Sequence, residues 1–259
     1  FKELNIGTAK PTPQEMGKVV HHLIGIETIK NEFNASTFIK KSTAIINKMF
    51  SQNCIPILVG GSGFYIRALI KGMYQSDEKI SPKTTQKIEN MLNSSPPNKP
   101  LIEYLKINDP ESLKNIHVND IYRLTRAVEY HLNTGNLLSL EKKRMEQRLP
   151  YDFNKNTRFN VPIHHIYLDI PKSDHLTIIK NRTELMIQNG LIEEVQSLLA
   201  NGHTGNEKSL KSVGYKETVS FIHSNHSDTH ELINKINIST RQLAKAQRTF
   251  FNKIPDKNK

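Results

Sequence analysis

Four residues, Gly60-Gly61-Ser62-Gly63, carry the most specific chemistry in the sequence. Glycines let backbone N–H groups converge, and a helix start adds partial positive charge, so a glycine turn entering a helix can cradle an anion; Ser62 adds a hydroxyl. The same spacing also serves a turn in which glycine only permits close packing. It is neither a Walker A loop, since G-x-x-x-x-G-K-[ST] occurs nowhere, nor G-x-G-x-x-G, because Ile66 stands at the third glycine position. Cations form the second group. Arg241, Lys245 and Arg248 are spaced four and three apart, which places them on one helix face. No acid lies between Glu231 and Asp256 to neutralise that face, which suits a phosphate backbone. Arg123 and Arg126 repeat the i,i+3 spacing, but Glu129 is placed to pair with Arg126. Arg182, in I-I-K-N-R-T-E-L-M, has Glu184 and Glu193 as ordinary partners.

The elements that position these residues read as follows. Cys54–Val59 (C-I-P-I-L-V) is a continuous apolar run, the pattern of a parallel strand buried on both faces. With the glycine turn and a helix over 64–71, it forms half of a βαβ unit. His21–Ile26 and Ile163–Ile170 read as further strands. Residues 6–13, with Gly7, Pro11 and Pro13, read as a loop. Ser36 is placed to cap a helix reaching Phe50, and Asp120 one reaching about Asn133. Other helices are expected near 84–92, 175–189, 192–200, 216–223 and 230–251. The fold class expected is α/β: a parallel sheet core flanked by helices (1–75 and 149–259), with a polar, helical insertion over 76–148.

Composition narrows the function. Of 259 residues, 36 are Lys or Arg and 25 are acidic, a net charge of +11 spread along the chain. That excess favours a polyanionic partner. One cysteine, Cys54, excludes a disulfide framework and fits a reducing compartment. No apolar run reaches 18 residues and no signal peptide is visible, so a cytoplasmic protein without a membrane is expected. The adjacent pairs His21-His22 and His164-His165 point to opposite faces of an extended chain, and no metal-binding spacing occurs.

Six strings, in order, resemble the tRNA dimethylallyltransferase (tRNA isopentenyltransferase) family: I-G-T-A-K-P-T (6–12), H-H-L-I (21–24), P-I-L-V-G-G-S-G-F-Y (56–65), H-V-N-D-I-Y-R-L-T-R-A-V-E (117–129), V-G-Y-K-E (213–217) and T-R-Q-L-A-K-A-Q-R-T-F-F (240–251). The resemblance implies that the core is P-loop NTPase-like and that the 76–148 insertion binds tRNA; it also implies transfer of a dimethylallyl group from its diphosphate to the exocyclic amine of the adenosine 3′ of the anticodon, in a channel, with Mg²⁺ assisting. It implies that Gly60, Gly61, Ser62 and Gly63 help form the channel and that Arg182 grips the diphosphate, with Ser62 and Arg182 the catalytic pair. It implies tRNA contacts from Arg123, Arg126, Lys211, Gly214, Tyr215, Lys216, Arg241, Lys245, Gln247 and Arg248. The implied partners are dimethylallyl diphosphate and the tRNA anticodon stem-loop, and the implied working form is a monomer.

The sequence departs from the family's pattern at several positions. Ser62 stands for Thr, Ile178 for the first Arg of R-I-x-x-R, Ala246 for Arg, Phe250 for Trp, and Gly25 for the Asp after H-H-L-I. The family's P-loop and its Asp-Ser base segment precede the I-G-T-A-K-P string; no Asp occurs here before Asp77, so the implied base lies outside this sequence. Two other readings stay open on residues alone: a small-molecule P-loop kinase and a non-catalytic RNA-binding module.

Overall fold

In a computed structural model, all residues are described except 18, 74–79, 155, 157, 225–227 and 256–259. Among them, twelve helices form and no strand does; Ile166 is an isolated bridge residue. The expected parallel sheet, and with it the α/β class, is therefore overturned. The physical reason lies in what an apolar run reports. It states the environment that side chains favour, whereas a strand exists only where a second backbone satisfies its N–H and C=O groups. Cys54–Val59 forms no ladder, and Ile57 is 84% and Val59 87% exposed; Leu168, in the 163–170 segment, is 82% exposed. Residues 23–25 form a bend, with Leu23 at φ +64° and Gly25 at φ +59°, values that break an extended run.

The chain divides into two compact units, Phe1–Ile70 with Val161–Lys259, and Lys71–Asn160. The boundary expected at 75/76 lies outside the described residues. At the other side the second unit runs past 148: the Lys71 ammonium donates to the Asp152 carbonyl at 3.2 Å, which holds residues near 152 to its first turn.

The first unit contains α1 (Pro13–Met16), α2 (Ala35–Ser51), α3 (Gly63–Lys71, which runs one residue into the second unit), α9 (Lys172–Gln188), α10 (Leu191–Ala200), α11 (Tyr215–His223) and α12 (Thr229–Phe251). Asn34, not Ser36, caps α2, accepting from the Thr37 N–H at 3.0 Å. Both residues are good cap formers, so sequence alone does not choose between them. The core joins Leu4 and Ile29 to Met186, Leu191, Val195, Leu210, Tyr215, Leu232 and Ile236. Each such aliphatic side chain contributes about 1.5–3 kcal/mol through burial. Met186, late in α9, shares this core with Leu232 and Ile236, early in α12. Arg248, late in α12, reaches Ile170 and His175 at the start of α9. The two helices are thus antiparallel.

The second unit holds α4 (Pro82–Leu92), α5 (Asn98–Asn108), α6 (Pro110–Lys114), α7 (Ile121–Thr134) and α8 (Leu138–Gln147). Its core is Ile88, Leu101, Leu105, Ile116, Leu124, Ala127, Val128 and Leu138. Asp120 caps α7 as expected, accepting from the Arg123 N–H at 3.0 Å. Asp109, 1% exposed, accepts from the Ser112 hydroxyl at 2.6 Å and the Ser139 N–H at 3.1 Å, joining α6 to α8. Burial alone would raise its carboxyl; hydrogen bonds from Ser112 and Ser139 outweigh burial and hold it below the ordinary aspartate value of 3.8. A depressed folded value stabilises the fold above the ordinary value and loses that contribution as pH falls through the folded one. Asp109→Ala should therefore cost about 1–3 kcal/mol at neutral pH, read as a lower urea midpoint. The gap to wild type should close on acidification below 3.8. A gap independent of pH would contradict the assignment.

Candidate active site

The glycine turn and the last helix meet. A Cβ placed on Gly61 would collide with the side-chain amide of Gln247, and one on Gly63 would overlap the ring of Phe250; Gly60 has open space around it. Two of the three glycines therefore let α12 approach the turn, which is the close-packing alternative for this motif. Gly63 starts α3, its N–H donating to the Gly61 carbonyl at 3.1 Å. Gly60, Gly61 and Ser62 are exposed. The effect is to bring G-G-S-G-F-Y and K-A-Q-R-T-F-F, almost 190 positions apart in sequence, into one site.

The three cations of α12 have different fates. Lys245 is exposed and lines an open concavity of about 430 Å³ with Gln242, Thr249, Phe250 and Lys253. Arg241 is exposed, its Nε donating to the Asn237 carbonyl at 3.1 Å. Arg248 turns to the start of α9 and donates to the Ile170 carbonyl at 2.8 Å and to His175 Nδ1 at 3.2 Å; a guanidinium only donates, so Nδ1 accepts. Among the described residues none of the three has an ion pair. Arg182, on α9, is exposed and joins neither Glu184 nor Glu193; Glu184 faces Lys180 at 3.9 Å.

Gly214-Tyr215-Lys216 sits at the start of α11. Gly214 has φ +93° and its N–H donates to Glu217 at 2.8 Å. Tyr215 is 0% exposed. Its hydroxyl donates to Glu194 at 2.5 Å and accepts from the Gly7 N–H at 3.2 Å, and Glu194 also accepts from the N–H groups of Asn5 and Ile6. Burial, then the neighbouring Glu194, push the phenol far above its usual value. Tyr215 thus anchors the I-G-T-A-K-P string. Lys211 and Lys216 are exposed, Lys216 3.5 Å from Glu217. In the second unit, Arg123 pairs with Asp120 and Arg126 with Glu129 at 2.5 Å, the ordinary pairing that the spacing allows.

Residues 1–254 match the family model described as IPP transferase. The chain belongs to this family. A tRNA dimethylallyltransferase of Staphylococcus aureus (strain MRSA252) is 33% identical over 253 residues, covering 97% of this chain and 78% of the relative. One from Thermoanaerobacter sp. (strain X514) is 34% identical over 254 residues, covering 97% and 77%. Among solved structures, a tRNA delta(2)-isopentenylpyrophosphate transferase of Staphylococcus epidermidis aligns with TM-score 0.63 at 31% identity, over 99% of this chain and 80% of that one. A eukaryotic dimethylallyltransferase, at 21% identity and TM-score 0.74, shares the fold.

For this family member, sequence reasoning passed over Arg67 and Phe64. Arg67 lies on α3 with its guanidinium 5.6 Å from the Phe64 ring centre and 5.8 Å from that of Phe250. The signal was present: Phe64 and Arg67 are i,i+3 on the helix that leaves the glycine turn. Among the described residues no group of three His, Cys, Asp or Glu side chains converges. No described helix is long and apolar enough to cross a membrane.

The packing at the turn ranks three substitutions. Gly63→Ala meets an aromatic ring and should lower stability by about 1–3 kcal/mol in thermal or urea unfolding. Gly61→Ala meets only the far end of a flexible amide and should cost less. Gly60→Ala should leave stability unchanged or raise it by up to about 1 kcal/mol. Equal effects at all three would contradict the close approach.

Proposed function

We propose that this chain transfers a dimethylallyl group from dimethylallyl diphosphate to the exocyclic amine of the adenosine 3′ of the anticodon in tRNA, working as a cytoplasmic monomer. The supporting observation is the contact of Gly61 and Gly63 with Gln247 and Phe250, which joins the glycine turn to the cationic last helix. Family membership supports the reaction class, and the names of the relatives, tRNA dimethylallyltransferases, support the substrate.

In the reaction the amine nitrogen forms a bond to the allylic carbon, the carbon–oxygen bond to diphosphate breaks, and the amine releases a proton. The amine is a weak nucleophile, its lone pair delocalised into the purine. The barrier is therefore set by how well charge growing on the departing oxygens is held. Arg182, exposed and without an ion pair among the described residues, has a planar fork suited to two oxygens at once. Ser62 and the turn's N–H groups would add uncharged donors. The acceptor adenosine must leave its stack, which costs a few kcal/mol. Phosphate contacts from Arg241 and Lys245, with Gln247 beside the turn, would offset that cost. Arg123, Arg126, Lys211 and Lys216 would add contacts elsewhere on the RNA, Arg123 and Arg126 after exchanging their acidic partners for phosphate.

Arg182→Ala should lower the transfer rate by about 10²–10³ and leave tRNA affinity near wild type. Equal loss of both would overturn its assignment to the diphosphate. Lys245→Ala should weaken tRNA binding and reduce the slope of log affinity against log salt by about one. An unchanged slope would remove α12 from the RNA interface.

A further inference from the structure

A lysine ammonium carries three N–H donors. In Lys10 two of them are placed: Nζ donates to Asn5 Oδ1 at 2.7 Å and to the Lys2 carbonyl at 2.9 Å. The backbone closes the same turn, the Lys10 N–H donating to the Asn5 carbonyl and the Ala9 N–H to the Ile6 carbonyl, each at 2.9 Å. The side chain is therefore held before any ligand arrives. Two carboxylates act on the ammonium through space, Glu194 and Glu3, and both are committed elsewhere. Glu194 accepts from the Asn5 and Ile6 N–H groups and from the Tyr215 hydroxyl, and Glu3 accepts from the Ile29 N–H at 3.1 Å. Among the described residues Lys10 has no ion pair. Burial, opposed by those two acids, pushes it below the usual lysine value, so the ammonium has given up water without gaining a paired counter-ion. Beside it stands Gly25, at φ +59°. A Cβ there would lie 3.7 Å from Nζ and 4.0 Å from the Phe1 carbonyl oxygen, in ordinary contact with both and overlapping neither. The space next to the ammonium is open because residue 25 has no side chain.

We propose that Lys10 and the gap at Gly25 form a site for one phosphate oxygen, using neither Arg182 nor α12. The geometry selects a charged acceptor: hydrogen bonds to an ionised oxygen are shorter and about twice as strong as neutral ones, and an ammonium with one donor left over takes a single oxygen as a point charge. Phosphate is the anion that both substrates of the transferase reading carry, so the site rests on that reading for its occupant but not for its geometry. Asn5 and Lys2 already fix the side chain, so binding costs little further rotamer entropy. Glycine at 25 keeps the site open. A carboxylate one bond beyond a Cβ 3.7 Å from Nζ would reach the ammonium and neutralise it from within the chain.

The test is a contrast of charge at residue 25. Asn and Asp tolerate positive φ better than other side chains and share one shape, so Gly25→Asn and Gly25→Asp differ in charge alone. Binding of two probes, inorganic diphosphate and a single-stranded oligoribonucleotide, is measured by titration calorimetry on the whole chain. For at least one probe Gly25→Asn should bind like wild type, while Gly25→Asp and Lys10→Met each bind about 10- to 100-fold more weakly. Loss with diphosphate alone assigns the site to the leaving group of the prenyl donor, loss with the oligoribonucleotide alone assigns it to the RNA backbone, and loss with both shows a site open to either. A wild type that binds neither probe, equal weakening by Gly25→Asn and Gly25→Asp, or a Gly25→Asp protein that binds both probes like wild type overturns the site. Lys10→Met also removes the bonds to Asn5 and Lys2, so the Gly25 pair decides the matter if that variant unfolds. Prenyl transfer by the wild type is assayed beside it: transfer without the Asp–Asn contrast sinks only the Lys10 site, and the contrast without transfer sinks only the transferase reading.

Discussion

The close approach of α12 to the glycine turn is the constraint on which the site depends. It exists because Gly61 and Gly63 have no side chain where Gln247 and Phe250 lie. A methyl group at Gly63 would force the Phe250 ring away, and with it the Arg67 guanidinium and the rim of the concavity. Glycine therefore acts here through missing volume as much as through backbone freedom. Ser62, between the two, stays exposed and keeps its hydroxyl available.

Around this contact the first unit is organised as a support. Tyr215 and Glu194 hold the backbone of residues 5–7 from within the core. The α9–α12 pair is fastened at one end by Met186 packing with Leu232 and Ile236, and at the other by Arg248 on Ile170 and His175. Cations near the site thus divide into those spent on structure, such as Arg248, and those left at the surface, such as Lys245 and Arg182. That division follows from geometry: α12 has no acid between Glu231 and its end, so its cations turn to carbonyls, a histidine ring or solvent.

The longer helices with an apolar stripe (α2, α3, α4, α7 and α9 to α12) were legible in the sequence because periodicity is local, whereas the short or polar α1, α5, α6 and α8 were not singled out. Asp120 caps α7 and α12 ends at Phe251, close to where spacing and charge put them. The strands were not. C-I-P-I-L-V and residues 163–170 have strand composition, yet a ladder depends on a neighbouring backbone that composition does not specify, and most of their side chains lie exposed. Within the site, the glycine turn was legible as special, but both of its readings were allowed until Gln247 and Phe250 were seen against it. The face expected from Arg241, Lys245 and Arg248 was read from an isolated helix, and the start of α9 claims Arg248. Arg67 was missed because a lone arginine beside aromatics means little until another ring, from the far end of the chain, arrives within reach of its guanidinium.

The central claim is that the glycine turn and the last helix act as one RNA-facing site. Amide hydrogen exchange with and without tRNA measures this directly. Exchange should slow together in residues 60–65 and 242–253, because a strand lying on one must cover the other. Protection confined to the helix, with the turn exchanging as fast as in the free protein, would contradict the account.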